Sequence, residues 1–123
     1  MVFRKLLLIV LLYCGANLQV TASDCDVDAG QRQFNRCAIC HAVEAGQHGA
    51  GPSLASLSGR EAGSVPGFPF SHVMAESGIT WDEQMLSEFI RSPDEFMPGT
   101  TMAFGGLRND EQRTALLCYL RML

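Results

Sequence analysis

Apolar side chains recur at helical spacing in three stretches of this chain, and the segments between them are rich in glycine and proline. In the first stretch Gly30 and Phe34 lie four residues apart, on one face of a helix. Asp28 precedes them in a capping-box pattern. The pattern predicts a helix from about Ala29 to Cys40.

The second predicted helix follows the capping box Thr80-Trp81-Asp82-Glu83 and stops before Pro93. Its inward positions are Leu86, Phe89 and Ile90. The third starts at Asn109 with an acidic first turn, which suits the helix dipole. Its inward positions are Leu116, Leu117 and Leu120. From Gly59 to Ile79 glycine and proline interrupt all periodicity, which predicts an irregular loop. The sequence therefore predicts an all-α domain with three main helices and long loops.

The N-terminus has the organisation of a secretory signal peptide. Arg4 and Lys5 precede a short apolar run, and small residues follow at Val20-Thr21-Ala22. The run is shorter than the roughly 20 residues that cross a bilayer. We expect residues 1–22 to be removed by cleavage after Ala22 or Ser23, leaving one domain at 23–123. Tyr13 before Cys14 argues against a lipid anchor there.

Removal of that peptide leaves an acidic chain. Residues 23–123 contain seven arginines and no lysine against 13 aspartates and glutamates, a formal net charge of −6. Such a chain has no general positive field for nucleic acid or an anionic membrane surface. About 100 residues make one domain, near the lower limit for a comfortable apolar core.

The chemistry of the chain concentrates in Cys37-Ala38-Ile39-Cys40-His41. Two cysteines three residues apart, followed by histidine, are typical of a c-type haem attachment site, where both thiols add to one haem and the histidine ligates its iron. A zinc site would need a second pair of ligands, and a thioredoxin-like dithiol would need a βαβ pattern. Two buried structural cysteines would be the remaining alternative. The flanking sequence favours haem, one per chain.

The segment after His41 is a loop by its glycine and proline content. Pro52 fixes its own φ and biases Gly51 towards extended backbone. A backbone carbonyl in this rigid segment could accept the His41 N–H and hold the imidazole. An ordinary turn fits the local sequence equally well.

An ordered series of motifs resembles the class I cytochromes c of the mitochondrial and related bacterial type. The series comprises Gly30-x3-Phe34-x2-Cys37-x2-Cys40-His41, Gly51-Pro52-Ser53-Leu54, Gly59-Arg60, Pro66-Gly67-Phe68, Gly78-Ile79-Thr80-Trp81, Pro98-Gly99-Thr100-Thr101-Met102 and Tyr119-Leu120. The resemblance covers nearly all of residues 29–123. It implies a fold in which the last helix crosses the first near Gly30 and Phe34.

The resemblance also implies a second iron ligand and contacts to the haem propionates. Met102 matches the ligand position of the family's motif and lies in a loop fixed by Pro98 and Gly99. Thioether ligation opposite His41 gives six-coordinate, low-spin iron. Met74 and Met97 also lie outside the helical patterns, and spacing alone does not exclude them. Arg60 and the Trp81 indole would meet the propionates, although a solvated arginine and simple core packing are the alternatives.

The chain departs from this family in its pocket and on its surface. Phe89, Phe70 and Met74 stand where the family often has two tyrosines and an asparagine, which predicts a drier pocket with fewer hydrogen bonds. Thr101 replaces a common lysine, and the lysine ring that docks acidic partners is missing. Docking would then rely on acidic patches that meet a basic partner, or on little electrostatics at all.

Cys25 and Cys118 remain outside the haem motif. If the first and last helices cross, these cysteines could approach one another and pair in an oxidising compartment. A buried Cys118 thiol and a frayed Cys25 thiol are the alternative, because sequence does not show the geometry.

These observations predict an exported, soluble, monomeric one-electron carrier, periplasmic in bacteria, that exchanges electrons with redox proteins. A dehydrogenase, a cytochrome bc1-type complex or a terminal oxidase are the partners that we expect. With both axial positions filled, such a protein is not an enzyme. The alternative is a peroxidase or gas sensor with a labile Met102, in which His48 or His72 assists proton transfer. We expect each of these two histidines to be a surface loop residue instead.

Overall fold

The computed structural model describes residues 25–123, so the predicted signal peptide and Cys14 lie outside the described part of the chain. This part is helical, with isolated β-bridges in place of strands. The helices in chain order are α1 (Val27–Phe34), α2 (His72–Ala75), α3 (Glu83–Arg91), α4 (Pro93–Phe96) and α5 (Asp110–Leu120). The three longest correspond to the three predicted helices.

Helix α1 begins and ends earlier than the sequence pattern predicted. Asp26, rather than Asp28, is the N-cap, and its carboxylate accepts the Ala29 N–H at 2.7 Å. The regular helix ends at Phe34 because the backbone then tightens into turns, in which Cys37 N–H donates to Phe34 O at 2.7 Å. The cysteine motif therefore lies in a series of turns after α1 rather than in its last turn.

Helix α3 begins after Asp82, which caps it by accepting the Met85 N–H at 2.7 Å. The predicted cap at Thr80 was therefore wrong. Thr80 instead forms an antiparallel bridge with Glu61, which ties the entrance of α3 to the preceding loop. The helix ends at Arg91, and Pro93 then opens the short helix α4, as proline does at a first helical position.

Helices α1 and α5 cross at a close contact. A Cβ on Gly30 would overlap the Ala115 carbonyl and lie 2.8 Å from Tyr119 Cβ, so only glycine fits there. The rings of Phe34 and Tyr119 pack beside it with centroids 5.0 Å apart. Asn109 caps α5 by accepting the Gln112 N–H at 2.9 Å. The crossing that the family resemblance implied is confirmed.

The Cys25–Cys118 disulfide is present and joins the entrance of α1 to α5. The two Cα atoms lie 5.5 Å apart, within the usual range for a bridge. The helix crossing brings them to this distance across 93 residues of sequence. Of the two alternatives that the sequence left open, the structure shows the bridge.

The predicted loop from Gly59 to Ile79 contains one ordered element, the single-turn helix α2. Ser71 caps it by accepting the Met74 N–H at 3.3 Å. The remainder is irregular, as expected, and Ala62 and Ile79 from it pack into the core. Within residues 25–123 no helix is long and apolar enough to cross a membrane.

Candidate functional site

One cavity of about 250 Å³ lies between α3, α5 and the long loops. Its floor is made of buried apolar side chains from the two helices: Leu86, Phe89, Ile90, Leu116 and Leu120. The inward positions predicted for these two helices thus line this space or support it. Its walls come from the cysteine motif, the loops at 50–74 and the segment 100–104.

The cysteine motif enters one wall of this cavity. Cys37 is half-buried, Cys40 is exposed, and both are free thiols that line the cavity together with His41. Burial raises the pKa of the Cys37 thiol, and the nearby Arg36 charge opposes this. Ile39 between them points outward, with 81% of its surface exposed. Within residues 25–123 no group of three or more His, Cys, Asp or Glu could hold a metal ion, which gives a zinc site no support.

A backbone carbonyl fixes the orientation of the His41 imidazole. Its Nδ1 lies 2.7 Å from the Pro52 carbonyl oxygen. Because a carbonyl only accepts, Nδ1 carries the proton and the Nε2 lone pair is left free. Burial lowers the pKa of His41, with opposition from this hydrogen bond, and so favours the neutral imidazole. The predicted carbonyl contact is confirmed, and the acceptor is the Pro52 carbonyl oxygen.

Gly51 makes room for that arrangement. A Cβ at this position would overlap the His41 ring, and Gly51 is itself buried. The Gly51 N–H donates to the Cys40 carbonyl at 2.8 Å, which fastens the loop to the cysteine motif. A neutral imidazole with a fixed orientation and a free Nε2 is what a metal ligand requires.

The five methionines of the described chain differ in their burial and in whether they line the cavity. Met97 is buried in the core cluster, 6% exposed, and Met122 is 71% exposed. Met85 is half-buried on α3 and packs against the core. Only Met74 and Met102 line the cavity, each of them half-buried. The structure therefore reduces the thioether candidates among residues 25–123 to two.

Arg60 and Trp81 both line the cavity. The Arg60 guanidinium donates to the carbonyls of Ala55 and Ser53 at 2.9 and 3.1 Å, so it is not a freely solvated arginine. Trp81 is only 4% exposed and packs on Phe89 with ring centroids 5.1 Å apart. A positive charge and a buried indole thus stand at one wall.

Three residues at which the resemblance implied a departure from the family pattern also face this space. Phe70, Met74 and Phe89 line the cavity without a hydroxyl or an amide. Phe70 packs edge-on against Phe68, with ring centroids 5.0 Å apart. This side of the cavity is correspondingly apolar.

His48 is not a simple surface residue, and that expectation was wrong. Its Nδ1 accepts the Ser53 N–H at 3.0 Å, so Nε2 carries the proton and donates to the Pro66 carbonyl at 2.9 Å. His48 thereby joins two loops and does not line the cavity. His72 does lie at the surface, paired with Glu76 at 3.0 Å.

Sequence reasoning missed two residues that shape the site. Ser53 is 1% exposed, and its hydroxyl donates to the Glu44 carbonyl at 2.6 Å while its amide binds His48. Arg36 is exposed at the cavity edge beside Cys37. Ser53 lies in the Gly51-Pro52-Ser53-Leu54 motif, and Arg36 directly precedes Cys37. Nothing else in the sequence indicates a role for either residue.

The residues present fit a covalently attached haem. The cavity is predominantly apolar, two free thiols stand at its edge, and His41 directs a free nitrogen from a fixed ring. A thioether is available on a separate loop. Soft sulfur and imidazole donors are the axial ligands that low-spin haem iron takes in electron carriers.

Comparisons with known proteins identify the family of the chain. The family model for cytochrome c matches residues 27–123. Cytochrome c2 iso-2 of Magnetospirillum fulvum is 47% identical over 90 residues, 73% of this chain and 94% of that protein. Cytochrome c2 of Rhodoblastus acidophilus is 44% identical over 96 residues, 77% of this chain and 90% of that protein.

A solved structure shows the same fold. Cytochrome cH from Methylobacterium extorquens superposes with a TM-score of 0.76 at 33% sequence identity, covering 80% of this chain and 99% of that one. The helices, the cavity and the cysteine motif agree with this assignment. The chain therefore belongs to the cytochrome c family, with the class I fold and one covalently attached haem c, and it is an electron-transfer protein rather than an enzyme.

Proposed function

We propose that Cys37 and Cys40 form the thioether bonds to the haem, and that His41 and Met102 are its axial ligands. The observation that carries the proposal is that a single apolar cavity gathers both thiols, the oriented imidazole and a loop-borne thioether. The bound haem supplies a one-electron iron couple. The protein supplies the attachment, the ligands and the exclusion of water.

Met102 is preferred to Met74 because of the segment that carries it. Thr100 Oγ1 accepts the Met102 N–H at 3.3 Å, and Pro98 and Gly99 begin the same loop. Met102 also matches the ligand position in the family motif. Met74 lies in the single-turn helix α2, where it fills an apolar wall.

The ligands and the cavity walls have separate roles in electron transfer. His41 keeps its orientation in both oxidation states because the Pro52 carbonyl holds Nδ1. The apolar floor keeps solvent from the iron and so limits the reorganisation that accompanies a change of charge. With both axial positions filled, the chain has no position at which a substrate would bind iron.

Arg60 and Trp81 are proposed to hold the haem propionates. Arg60 uses two of its five N–H donors on backbone carbonyls, which fixes its guanidinium against the cavity and leaves donors for a carboxylate. The buried Trp81 indole offers an N–H that benefits from an acceptor. Both residues would neutralise propionate charge in a partly buried place.

We also propose that the protein is exported and acts as a shuttle in the periplasm between redox partners such as a dehydrogenase, a bc1-type complex or an oxidase. The support is the signal-peptide pattern in residues 1–22 and the likeness to carriers of the cytochrome c2 type. Mass spectrometry of the periplasmic protein should give a chain that begins at Ser23 or Asp24 and carries one haem. A chain with Met1 retained would contradict export with cleavage.

The ligand proposal is tested by the visible spectrum of the oxidised protein. Wild type should show the weak sulfur-to-iron band in the far red, and Met102→Ala should abolish it. Met74→Ala is the matched control, because it removes the other thioether of the same cavity and should keep the band. Loss of the band in Met74→Ala with its retention in Met102→Ala would assign the ligand to Met74. Rapid carbon monoxide binding by reduced wild type would contradict closed axial positions.

A further inference from the structure

The four cysteines of residues 23–123 have to reach two different oxidation states. They are Cys25, Cys37, Cys40 and Cys118. The structure joins Cys25 to Cys118 in a disulfide and leaves the other two as free thiols at the cavity. The proposed haem attachment needs both of these thiols, because each adds its S–H across a vinyl group of the haem and a disulfide has no S–H to add. One pair must therefore be oxidised while the other stays reduced until the haem is attached.

Chain entropy favours non-native pairings before the domain folds. Cys25 and Cys118 are 93 residues apart, whereas Cys25 and Cys37 are only 12 apart. The probability of loop closure in a flexible chain falls with about the 3/2 power of loop length, so Cys25 would meet Cys37 about twenty times as often as Cys118. Cys37 and Cys40 form a Cys-x-x-Cys pair, which readily gives a disulfide in other proteins. Oxidation of a disordered chain would therefore consume the attachment thiols.

The crossing of α1 and α5 reverses this preference. The two helices meet where Gly30 lies against Tyr119 of α5. Their crossing places the Cα atoms of Cys25 and Cys118 5.5 Å apart. Cys118 is buried there, whereas Cys25 stays at the surface. The native pairing therefore depends on the tertiary structure and not on distance along the chain.

The cavity connects this crossing to the haem. Leu116 and Leu120, on either side of Cys118 in α5, are buried and belong to the cavity floor. The turns after α1 place the attachment thiols in the cavity wall. A large apolar group attached to these turns would pack on α5 and hold it against α1, because an unfilled space of this size loses many packing contacts. Attachment therefore favours the geometry that brings Cys118 to Cys25.

We propose that the haem is attached first and that the Cys25–Cys118 bridge is the last covalent step of maturation. This inference rests on the proposed attachment at Cys37 and Cys40 and adds the order of the two reactions. Attachment removes the two thiols that compete for Cys25, and it stabilises the helix crossing that the native bridge needs. The chain thus requires a thiol-to-vinyl addition at the cavity, followed by a dithiol oxidation at the crossing of α1 and α5.

The burial of the two residues indicates the course of the oxidation. The exposed Cys25, as its thiolate, attacks a disulfide oxidant such as oxidised glutathione, forms a mixed disulfide and releases one thiol. The buried Cys118 then attacks Cys25 Sγ, forms the native bridge and releases the second thiol. The chain loses two electrons and two protons, and the oxidant becomes two thiols. The Arg121 guanidinium, which pairs with Glu83, lies 4.0 Å from Cys118 Sγ and favours its thiolate form.

The first test asks which cysteines pair when no haem is attached. The full mature chain, prepared without haem and reduced with dithiothreitol, is transferred to oxidised glutathione, quenched by alkylation and mapped by peptide mass spectrometry. Most molecules should contain a disulfide that includes Cys37 or Cys40, and fewer than about one tenth should contain Cys25–Cys118. A haem-free chain in which Cys25–Cys118 predominates would overturn the proposal.

The second test isolates the geometry of the crossing from the competition between thiols. The holoprotein and the unattached Cys37→Ala/Cys40→Ala chain each offer only Cys25 and Cys118 to the oxidant. After reduction with dithiothreitol, which leaves thioether bonds intact, both are mixed with oxidised glutathione, and the mixed disulfide is followed until the bridge forms. Bridge formation should be faster in the holoprotein by a factor of about ten or more, because the crossing raises the effective concentration of Cys118. Equal rates would overturn the proposal.

The third test follows the order of the two steps in cells. Newly made exported chains are trapped by alkylation at successive times, and their masses report haem and free thiols together. Chains that carry haem and two alkylated cysteines should appear before chains that carry haem and the bridge. The variant Cys25→Ser/Cys118→Ala should have haem on the same proportion of its exported chains as wild type. Haem-free chains that already contain Cys25–Cys118 and later gain haem would overturn the proposal, as would a variant that attaches no haem.

These outcomes are separable from failure of the proposed function. Mature wild type without haem linked to Cys37 and Cys40 would contradict the attachment, and the proposed order would fail with it. Haem linked to both cysteines, together with a bridged precursor that has no haem, would retain the proposed function and remove only the order.

Discussion

Gly51 shows how one residue can control the proposed iron ligand, His41, without being a ligand itself. The absence of a side chain at this position lets the His41 ring lie against the loop, where Nδ1 meets the Pro52 carbonyl at 2.7 Å. That hydrogen bond orients the ring and raises the basicity of Nε2. The loop therefore contributes to the donor strength of His41 as well as to its position.

Gly51→Ala should consequently raise the reduction potential. The new Cβ would displace the His41 ring and weaken its bond to the Pro52 carbonyl, and a weaker donor stabilises ferric iron less. Spectroelectrochemical titration measures the shift. Gly105→Ala is the matched control, because a Cβ there meets no atom within 4 Å. A potential that moves equally in both variants would show that the displacement of His41 is not the cause.

At the scale of elements, the pairing of α1 with α5 organises the fold. The two helices meet at Gly30, pack through Phe34 and Tyr119, and are joined by the Cys25–Cys118 bridge. The turns that carry Cys37 and Cys40 follow α1 directly, while Leu116 and Leu120 of α5 line the cavity. A change in this pairing is therefore transmitted to the site.

Gly30→Ala should destabilise the protein by about 1–3 kcal/mol, as overpacking does in well-packed contacts. In an exposed helix the same exchange would stabilise by up to about 1 kcal/mol, because alanine is the better helix former. The predicted change in stability is thus opposite in sign to the change that helix propensity alone would give. Guanidinium chloride unfolding, followed by far-UV circular dichroism, measures the change in the free energy of unfolding. Gln31→Ala, exposed on the same helix, should leave stability within about 0.5 kcal/mol of wild type.

Removal of the disulfide should lower the free energy of unfolding by about 4.6 kcal/mol in the chain-entropy model, because the bridge closes a loop of 93 residues. The double variant Cys25→Ser/Cys118→Ala provides the measurement by denaturant unfolding. Treatment of wild type with dithiothreitol is the control, since it opens the bridge and leaves thioether bonds intact. The two preparations should unfold at the same denaturant concentration. An unchanged midpoint in both would show that the bridge adds no stability.

At the scale of the whole molecule, the cavity interrupts the apolar core of this small domain. Its floor is formed by buried residues of α3 and α5, and its volume is about 250 Å³. Filling that space with a large apolar group completes the core, whereas an empty space of this size loses many packing contacts. The haem therefore contributes to folding as well as to electron transfer.

We accordingly expect the chain without haem to be poorly folded. Cys37→Ala/Cys40→Ala, which keeps the disulfide cysteines and removes attachment, should lose most of its far-UV helical signal. Haem-attached wild type at the same concentration provides the reference spectrum. A cooperative thermal transition in the unattached chain, with native helical content, would contradict a structural role for the haem.

Local patterns in the sequence were enough to predict the three main helices, the class of protein and the residues proposed for the site. Helical periodicity located three helices, the Cys-x-x-Cys-His spacing predicted the haem, and the family resemblance implied Met102. These signals are local, because each depends on residues a few positions apart. Three details of the predicted helices were wrong: the cap at Asp28, the end of α1 and the cap at Thr80. Asp26 caps α1 instead, turns follow Phe34, and Thr80 forms a bridge with Glu61.

Contacts between segments that lie far apart in the chain became visible only in the folded structure. It joins Cys25 to Cys118, places His48 between Ser53 and Pro66, and brings the cysteine motif, the loops at 50–74 and the segment 100–104 to the walls of one cavity. It also places the exposed Arg36 at the edge of that cavity. Such contacts depend on how helices and loops pack across the core, and no pattern of neighbouring residues encodes that packing.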